Sequence, residues 1–550
     1  MATTHPIANN PSKLNEEPHA ETDQKILNEI NRHNHGIAEG FFQRFFKGSP
    51  LDNPLKKYAH HLRNSFVSRL PESEEKPDLP GTSHHFLFLS TTEYSWAKVQ
   101  VIGLELDAEY YDHDSGLVQL YKYARKVFRS QPARLFLHGI YILGHVAELW
   151  VFDRVGMYHS TPLNLRDHPK GVADIFAHYL GLKDSDLGIN PILRSDPTGL
   201  YILVKGESQT EPGLSQFYLE GEPIVSPEEI VSTRPICYRA RISTSTRTEF
   251  VVKFTWRKED WRSEYWEYWE SEAQRWRVRR SEKDMLRLVK KRKVSGVMQM
   301  FSHQMVENIW SGRRGMRFPT LEKPGEDLSF PNPSFECMVV YPLGRPLARF
   351  HTVGEFLRGF RDAIAGYRSL HLDGKILHQD ISPNNIMLAE AREEGEPWGF
   401  LIDLDLSMEL AVGPAKPGEI IGTKAFMAID VMKRRQHSYR HDLESFLYVF
   451  LWIAICGGDR KLPADSRLQR WLVGDWSELA QKKTEDMEDG NFAGIVAEFT
   501  PQFRGLEGLA YRLRDVLFCE EIGAEELYSA FFSAIDETLA LQRFWHEGGC

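Results

Sequence analysis

The chain has 550 residues and a mass of 63.5 kDa, which is too long for one ordinary hydrophobic core and predicts two or three domains. Its 67 basic and 77 acidic side chains give a net charge of −10, which argues against a chain-wide nucleic-acid binder and against binding to anionic membranes. The five cysteines have neither zinc-site nor disulfide spacing, and the longest apolar run, residues 446–456, falls well short of the roughly 20 residues that span a bilayer. We therefore expect a soluble intracellular protein, cytoplasmic or nuclear, with no membrane partner.

The start of the chain divides into a tail and a helical segment. Residues 1–24 are polar with few apolar side chains and predict a flexible tail. Residues 25–70 carry Ile, Leu and Phe at roughly helical spacing, which predicts helices that pack on a neighbouring unit. A charged, Pro-containing linker follows, so we predict a helical segment and linker over residues 25–83.

Residues 84–200 predict a compact α/β domain. A helix is expected near residues 117–128. Strands are expected at four apolar stretches, residues 86–89, 97–106, 135–143 and 147–152. What this domain does is not evident from its residues beyond packing on the rest of the chain.

Two polar pairs in this domain invite a functional interpretation. Asp153 and Arg154 follow an apolar strand, and we interpret them as a structural ion pair at a strand end rather than a site. Glu105 and Asp107 also follow a strand and suggest a nuclease-like metal site. A nuclease of that kind needs a lysine where Asp107 stands, so we give this interpretation little weight.

Residues 201–341 predict a second, strand-rich unit. Within it, an apolar strand at residues 248–254 carries a single lysine, Lys253, as in the strand whose lysine holds nucleotide phosphates in kinases. A helix that follows carries Glu282, our candidate partner for Lys253. Glu272 and Asp284 are competing carboxylates.

Between Lys253 and Glu282 the chain is rich in tryptophan and tyrosine and then in arginine and lysine. Aromatic and basic residues together can bind single-stranded nucleic acid. Acidic side chains interrupt the aromatic stretch at residues 256–276 and would repel phosphate, so nucleic acid is not the expected partner. We predict a long amphipathic helix that packs its tryptophans on a neighbouring domain, and a weak nuclear-import signal at residues 290–293.

The strongest signal lies after a predicted strand at residues 336–341, a hinge at residues 342–347 and a helix. In the loop that follows, Asp380 can accept the proton of an attacking hydroxyl. Asn385, five residues later, can turn its amide oxygen to Mg²⁺, and this spacing is that of a kinase catalytic loop. Asp403 ends an apolar strand further on, where a second Mg²⁺ ligand is expected.

The order of these motifs resembles that of the fungal-type protein kinases. The resemblance rests on GRPL at residues 344–347, LHQDIS at 377–382, LIDLDL at 401–406, GT at 422–423, FMA at 426–428 and HDLES at 441–445. It extends into the first domain through QPAR at residues 131–134 and WVFDRVG at 150–156. Most of the chain is covered, and the joint order is highly specific.

The resemblance implies an α+β, bilobal protein kinase-like fold preceded by the smaller α/β domain. Residues 201–341 would be the small β-rich lobe and residues 342–550 the large helical lobe. ATP would be the donor, and a Ser or Thr hydroxyl of a protein substrate the acceptor. By motif position, Lys253 would hold the phosphates, Asp380 would be the catalytic base, and Asn385 and Asp403 would bind Mg²⁺. Asp442, in HDLES, would hold the backbone of the catalytic loop.

Three residues depart from the usual kinase pattern in these motifs. Gln379 stands where many kinases carry arginine, so we predict that activity does not depend on a phosphate in the activation segment. Ser382 replaces a lysine that many Ser/Thr kinases direct at the transferred phosphate, and Asp405 replaces the glycine of the usual Asp-Phe-Gly turn.

The expected glycine-rich nucleotide loop is the largest departure. The corresponding residues 230–240 contain no glycine, so backbone amides would approach the phosphates less closely and nucleotide binding would be weaker. Arg234 in this stretch is a candidate to compensate by its charge.

These features lead to three hypotheses. The first is an active Ser/Thr protein kinase, based on Lys253, Asp380, Asn385 and Asp403. The second is a pseudokinase scaffold, based on the missing glycines, and the third is a small-molecule kinase, based on Ser382. The sequence names neither the substrate nor the oligomeric state.

Overall fold

The computed structural model describes residues 19–46, 66–69, 83–89, 95–168, 170–206, 213–232, 234–258, 280–308, 313, 316–318, 333–390, 392–414, 418–458, 461–518 and 522–547. The predicted tail before residue 19 and the tryptophan-rich segment after residue 258, including Glu272, lie outside the described residues.

The described helices are α1 (His19–His33), α2 (Phe41–Phe46), α3 (His113–Ser130), α4 (Gly171–Leu180), α5 (Glu282–Lys291), α6 (Val353–Leu372), α7 (Ile429–Met432), α8 (Tyr439–Cys456), α9 (Trp476–Asp486), α10 (Asp489–Val496), α11 (Glu507–Phe518) and α12 (Ala524–Glu547). The described strands are β1 (Asn34–Ile37), β2 (Phe66–Arg69), β3 (Ser83–Leu89), β4 (Val99–Leu106), β5 (Phe136–Leu143), β6 (Val146–Asp153), β7 (Met157–His159), β8 (Leu163–Asn164), β9 (Leu193–Asp196), β10 (Gly199–Lys205), β11 (Leu214–Val225), β12 (Ile236–Ile242), β13 (Phe250–Lys258), β14 (Gln299–Asn308), β15 (Pro333–Tyr341), β16 (Gly344–Pro346), β17 (Ile376–Leu377), β18 (Ile386–Ala389), β19 (Gly399–Leu401) and β20 (Met408–Glu409). The chain is therefore a mixed α+β protein.

The first sheet has the order β1-β7-β6-β5-β4-β3-β2, with β8 beside β6. Strands β4 and β5 are parallel, as α3 connects them and packs on both. Asp112 begins α3 by accepting a hydrogen bond from the backbone N–H of Ser115 at 2.8 Å. Leu120, Ala124 and Val127 on the inner face of α3 are buried against the sheet.

The structure corrects two expectations for the start of the chain. Residues 34–37 and 66–69, where the sequence predicted helices, form the edge strands β1 and β2. Pairing with β7 and β3 supplies their backbone hydrogen bonds, and this tertiary pairing overrides the local apolar spacing. Helix α1 begins at His19, inside the stretch predicted to be a tail, because Ile26 and Ile30 bury their side chains in the core of the first sheet.

The second sheet is antiparallel and has the order β14-β15-β13-β12-β11-β10-β9. Helix α5 packs on β14 at its edge. The inner face of the sheet buries Phe217, Ala240, Val252 and Val339 in one core. Strand β13, which carries Lys253, is flanked on both sides by partner strands and is held firmly in register.

The two sheets are joined by contacts that cross in both directions. Ala133, from the first domain, lies in the core of the second sheet. In return, Met316 and Phe318, from the connection between β14 and β15, lie in a core of the first sheet. The two sheets therefore contribute residues to each other's hydrophobic cores, and their interface is not a polar contact between separate units.

Asp153 and Arg154 do not form an ion pair with each other. Asp153 instead accepts two hydrogen bonds from Arg313 at 2.8 Å each. Arg154 donates to backbone carbonyl oxygens. The partner of Asp153 is 160 residues away in the chain, which is why sequence proximity misled the prediction.

The Glu105 and Asp107 side chains show no arrangement that would hold a metal. Glu105 is exposed, and Asp107 caps a turn by accepting from the backbone N–H of Glu109 at 3.0 Å. In the part of the chain that the structure describes, no group of three or more His, Cys, Asp and Glu side chains could hold a metal ion.

The C-terminal part of the chain is built around buried helices and two small sheets, β16-β18-β19 and β17-β20. Helix α6 packs directly on β19, since Gly399 allows contact with the Gly359 backbone: a Cβ at Gly399 would lie 2.0 Å from the Gly359 oxygen. Helix α8 is buried along nearly its whole length. Among the described helices, none is long and apolar enough to cross a membrane.

Buried histidines predict a fold that loses stability in acid. Burial lowers the pKa of His138 to about 3 and the pKa values of His35 and His441 to about 4. These rings are neutral in the folded state, whereas in the unfolded state they titrate near about 6.5. The unfolded state then binds more protons below that pH, so stability is lost as the pH falls from about 6.5 towards 4.

His138→Phe tests this effect, since the ring lies among Phe45, Phe136 and Tyr179 and phenylalanine has no proton to gain. Between pH 7.5 and 5 the variant should lose about 2 kcal/mol less stability than the wild type, measured by urea unfolding at each pH. Equal losses in both proteins would contradict the assignment.

Candidate active site

The loop that begins at His378 is held by one buried carboxylate. Asp442, at the start of α8, accepts hydrogen bonds from the backbone N–H groups of His378 at 2.9 Å and Gln379 at 3.0 Å. His437 Nε2 lies 3.0 Å from the same carboxylate. Burial by itself would raise the pKa of Asp442, but His437 and His378 outweigh it and lower that pKa. The charged carboxylate thus fixes the loop backbone.

This support places Gln379 in an uncommon backbone conformation. Its φ is +67°, in the left-handed region that costs energy for a residue with a Cβ. Gly422 lies against it: a Cβ at Gly422 would be 2.7 Å from the Gln379 oxygen, and its own φ is +111°. Only glycine allows the 422–423 segment to approach the loop this closely.

Asp380 lies at the centre of the loop, and both of its carboxylate oxygens accept hydrogen bonds. The Thr423 backbone N–H and side-chain hydroxyl each donate to Oδ1 at 2.7 Å. Asn385 Nδ2 donates to Oδ2 at 3.0 Å and to the Asp380 backbone oxygen at 2.8 Å. The carboxylate is therefore held in one orientation while its residue remains partly exposed.

Asn385 and Asp403 are brought to the same end of the hairpin formed by β18 and β19. Ile386 pairs with Leu401 in that hairpin, and the Ile402 N–H donates to the Asn385 backbone oxygen at 3.0 Å. Because Asn385 Nδ2 donates to Asp380, its Oδ1 is the atom left to accept or to coordinate. Asp403 has a φ of +63°.

Lys253 and Glu282 form a buried ion pair. Lys253 Nζ lies 2.6 Å from Glu282 Oε2, and the two side chains are 15% and 0% exposed. The competing carboxylate Asp284 points elsewhere, accepting hydrogen bonds from Ser281 and Arg287. The structure thus brings Lys253 to Glu282 and not to Asp284.

Asp403 and Asp405 add negative charge to the surroundings of this pair. Burial favours neutral Lys253, but Glu282, Asp403 and Asp405 outweigh it and raise the Lys253 pKa above its ordinary value. Burial also raises the pKa of Glu282, and Lys253 opposes that shift. Lys253 therefore stays charged at neutral pH, and Glu282 is the carboxylate in direct contact with it.

Helix α5, which carries Glu282, is held by the segment that follows Asp403. Asp405 Oδ1 accepts from the Glu282 N–H at 3.3 Å, at the first residue of the helix. Glu409 contacts arginines beyond both ends of α5: Arg280 Nη2 at 2.9 Å and Arg292, which also donates to the Gly374 oxygen. One buried carboxylate therefore ties α5 to strand β20.

A second set of buried charges supports the chain just after Thr423. Lys483 Nζ donates to the carbonyl oxygens of Ala425 at 2.8 Å and Met427 at 2.7 Å. Glu444 accepts from the Ile429 N–H at 2.7 Å. Burial lowers the pKa of Lys483 to about 7, against the opposing effect of Glu444. This segment is thus fixed at three alternate residues, Ala425, Met427 and Ile429.

Arg234 is not brought to the Lys253–Glu282 pair in the structure. Its side chain is exposed, and its backbone N–H donates to Ser232 Oγ at 3.1 Å. Within the described residues, no hydrogen bond or ion pair joins its guanidinium to Lys253, Glu282 or Asp403. A role for Arg234 in compensating for the missing glycines stays a prediction.

Sequence reasoning missed Glu409, Arg280, Arg292 and Lys483. Lys483 carried a local signal, because it continues the helical spacing of the buried Leu479 and Ala480 on α9. Glu409 and its arginines lie more than 100 residues apart in the chain, and no local pattern points from one to the other.

Comparison with known proteins shows which class this site belongs to. A family model described as fungal protein kinase matches residues 85–275 and residues 267–454. These matches cover well over half of the chain and include Lys253, Glu282, Asp380, Asn385 and Asp403. The class is therefore that of protein kinases.

More particularly, the chain belongs to the fungal protein kinase family, which confirms the resemblance seen in its motifs. No curated protein sequence matches the chain. A solved structure titled "Structure of vaccinia related kinase 3" is 14% identical, covers 64% of this chain and 93% of that chain, and has a TM-score of 0.36. That score is too low to carry an argument, so family membership alone supports protein kinase activity in general.

The buried ion pair can be tested by removing one charge and then both. Lys253→Met leaves Glu282 buried without a cation and should cost about 3–5 kcal/mol of stability, whereas Lys253→Met with Glu282→Leu should recover most of that loss. Urea unfolding of the wild type, the single variant and the double variant measures both steps. A double variant as unstable as Lys253→Met alone would show that the pair does not dominate the energetics here.

Proposed function

We propose that the chain is an active Ser/Thr protein kinase that transfers the γ-phosphoryl group of ATP to a hydroxyl of a protein substrate. In this proposal the second sheet with α5 is the small lobe of a bilobal kinase fold, and the helical part after residue 342 is the large lobe. The observation that carries it is the conjunction of the Lys253–Glu282 pair with Asp380, Asn385 and Asp403 at the adjoining loop ends.

The proposed chemistry uses Asp380 as the base. The substrate hydroxyl oxygen forms a bond to the γ-phosphorus, and the bond from that phosphorus to the bridging oxygen breaks. The hydroxyl proton passes to Asp380, and ADP leaves with the electron pair of the broken bond. Thr423 and Asn385 hold the Asp380 carboxylate by three hydrogen bonds, which orients it before substrate arrives.

Lys253 would bind the nucleotide phosphates. Its raised pKa keeps it charged, and its buried partner Glu282 fixes its position in the sheet. Because phosphoryl transfer depends mainly on positioning and on neutralisation of charge, a fixed cation at this place is the chemistry required.

Asn385 and Asp403 would hold Mg²⁺. The Asn385 Oδ1 atom and the Asp403 carboxylate are hard oxygen donors of the kind Mg²⁺ takes, and one or two protein ligands suffice when phosphate oxygens complete the coordination. The residues present therefore fit the ion. When bound, it would neutralise charge on the β- and γ-phosphates.

A pseudokinase scaffold is the second candidate function. The observation that favours it is the chain between β11 and β12, which has no glycine and in which Arg234 is exposed. Such a protein would bind partners through its first domain with weak or no nucleotide turnover. We place either protein in the cytoplasm or nucleus, with no membrane or nucleic-acid partner.

Asp380→Asn and Asp403→Ala separate these candidates. With radiolabelled ATP and a peptide array, Asp380→Asn should lower phosphate transfer by roughly 10²–10⁴-fold because the base is lost. Asp403→Ala should abolish Mg²⁺-dependent ATP binding in calorimetry, while Asp430→Asn, a partly exposed carboxylate paired with Arg435, serves as the control.

The outcomes point in different directions. Wild-type protein that binds no Mg-ATP would favour the scaffold. Wild-type protein that ignores every peptide but phosphorylates a metabolite library would favour a small-molecule kinase. Transfer that is unaffected by Asp380→Asn would show that the proposed mechanism is wrong.

We also expect activity to be independent of activation-segment phosphorylation. Gln379 cannot pair with a phosphate as a guanidinium would, and Glu409 already supplies a carboxylate to Arg280 and Arg292. Phosphatase treatment should change the rate by less than about twofold, whereas Glu409→Gln should lower kcat by about tenfold, as expected for the loss of one charge-assisted hydrogen bond. Glu393→Gln, on an exposed ion pair with Arg247, is the matched control. A large loss of rate on dephosphorylation would overturn this expectation.

A further inference from the structure

The chain between β11 and β12 borders the Lys253–Glu282 pair. Val225 at the end of β11 pairs with Cys237 of β12, and Cys237 pairs with Lys253 of β13. The residues that connect β11 to β12 therefore leave the sheet two strands away from Lys253 and re-enter it one strand away. Residues 226–232 of this connection are described, and we call them the anchor segment.

The anchor segment folds away from its own sheet and onto the first domain. Ile230 is 2% exposed and belongs to the hydrophobic core of the first sheet, together with Leu117, Tyr121 and Phe128. The two strands that bracket the segment belong to the second sheet. Ile230 is thus a core residue of a domain to which its neighbours in sequence do not belong.

Two arginines of the first domain bind the backbone of the anchor segment. Arg125 Nε donates to the Glu228 oxygen at 2.9 Å. Arg154 Nη1 donates to the Ile230 oxygen at 3.3 Å, and its Nη2 donates to the Pro132 oxygen at 3.2 Å. Together these contacts fix the backbone at two positions of the segment and the side chain at one.

Arg154 is suited to this role by its own surroundings. It is 5% exposed, and its guanidinium lies 4.6 Å from the centre of the Phe128 ring. Burial lowers the pKa of Arg154 to about 10, so it remains charged at neutral pH. A charged, buried guanidinium needs hydrogen-bond acceptors. Pro132 of the first domain supplies one carbonyl, and Ile230 of the anchor segment supplies the other.

We propose that the first domain acts as a clamp that holds the loop between β11 and β12, which stands at the sequence position of a kinase nucleotide loop, with Ile230, Arg125 and Arg154 as positioning residues for ATP. A glycine-rich loop approaches phosphates through its backbone freedom, and each such residue must be ordered when nucleotide binds. A glycine-free loop that is already held in place avoids that ordering cost. This inference rests on the proposed kinase function.

A second, independent contact between the domains makes the clamp testable. Phe318 packs in another core of the first sheet, and Arg313 binds Asp153 there. These residues come from the connection between β14 and β15, not from the anchor segment. A substitution at Phe318 removes packing between the domains while leaving every contact of residues 226–232 in place.

The experiment compares Ile230→Ala with Phe318→Ala in the full chain. Mg-ATP affinity is measured by calorimetry. The kcat, and the KM for ATP, are measured in a phosphorylation assay at saturating peptide. Ile230→Ala should weaken Mg-ATP binding and raise the KM for ATP by about tenfold, because that is the effect expected when binding must order one more loop residue. The kcat should change by less than about twofold. Phe318→Ala should lose similar stability but leave both ATP constants unchanged. Arg154→Lys should fall between wild type and Ile230→Ala, because a lysine ammonium lacks the planar fork with which the guanidinium reaches the Ile230 and Pro132 carbonyls.

Hydrogen exchange gives a readout that does not depend on catalysis. Backbone amides of residues 226–232 should exchange faster in Ile230→Ala than in wild type and in Phe318→Ala. An unchanged ATP affinity in Ile230→Ala, or an equal loss in Phe318→Ala, would overturn the clamp while leaving the kinase function intact. Failure of wild type to bind Mg-ATP would overturn the kinase function and the link to ATP, and unchanged exchange in Ile230→Ala would overturn the holding of the loop itself.

Discussion

Burying Glu282 without water costs free energy unless a cation lies against it, and Lys253 is the cation that the second sheet supplies. The pair forms only if β13 keeps its register in the sheet and α5 keeps the orientation about its axis that turns Glu282 towards Lys253. The positions of both elements are therefore tied to this one contact. The sheet fixes Lys253 through strands on both sides, and Asp405 and Glu409 fix α5 from the C-terminal part of the chain. The candidate site is therefore a consequence of how three parts of the chain are held together.

Local patterns in the sequence were enough to predict the elements that carry the site. The strand with Lys253, the helix with Glu282 and the loop with Asp380 each have a spacing or composition that is visible within about 15 residues. What could not be predicted depends on distant partners: β1 and β2 are strands because they pair at sheet edges, and Asp153 binds Arg313 rather than its neighbour. The choice of Glu282 over Asp284 likewise required the structure, because residues two positions apart point to opposite sides of a helix and the sequence does not show which side faces Lys253.

The interface between the first domain and the second sheet has the character of a core. Ile230, from the chain between two strands of the second sheet, packs in the core of the first sheet, and its carbonyl oxygen accepts a hydrogen bond from Arg154. Ala133, from the first domain, packs in the core of the second sheet. Residues of the QPAR and WVFDRVG motifs lie at this crossing, and both belong to the part of the chain that the family model matches. A family motif outside the loop with Asp380 is thereby given a physical reason: its residues form the surface of the first domain that packs on the sheet containing Lys253.

The position of α5 illustrates how a permanent charge differs from an added one. A phosphate carries about two negative charges and can be removed, so it makes helix position conditional. The Glu409 carboxylate carries a single negative charge. It is buried and contacts arginines beyond both ends of α5. Its desolvation is offset by those two cations, and Arg292 also satisfies the Gly374 carbonyl. Since no covalent change is needed to make or break these contacts, the helix that carries Glu282 is held in place by folding itself, and control of such an enzyme would have to act elsewhere, on access of nucleotide or of substrate.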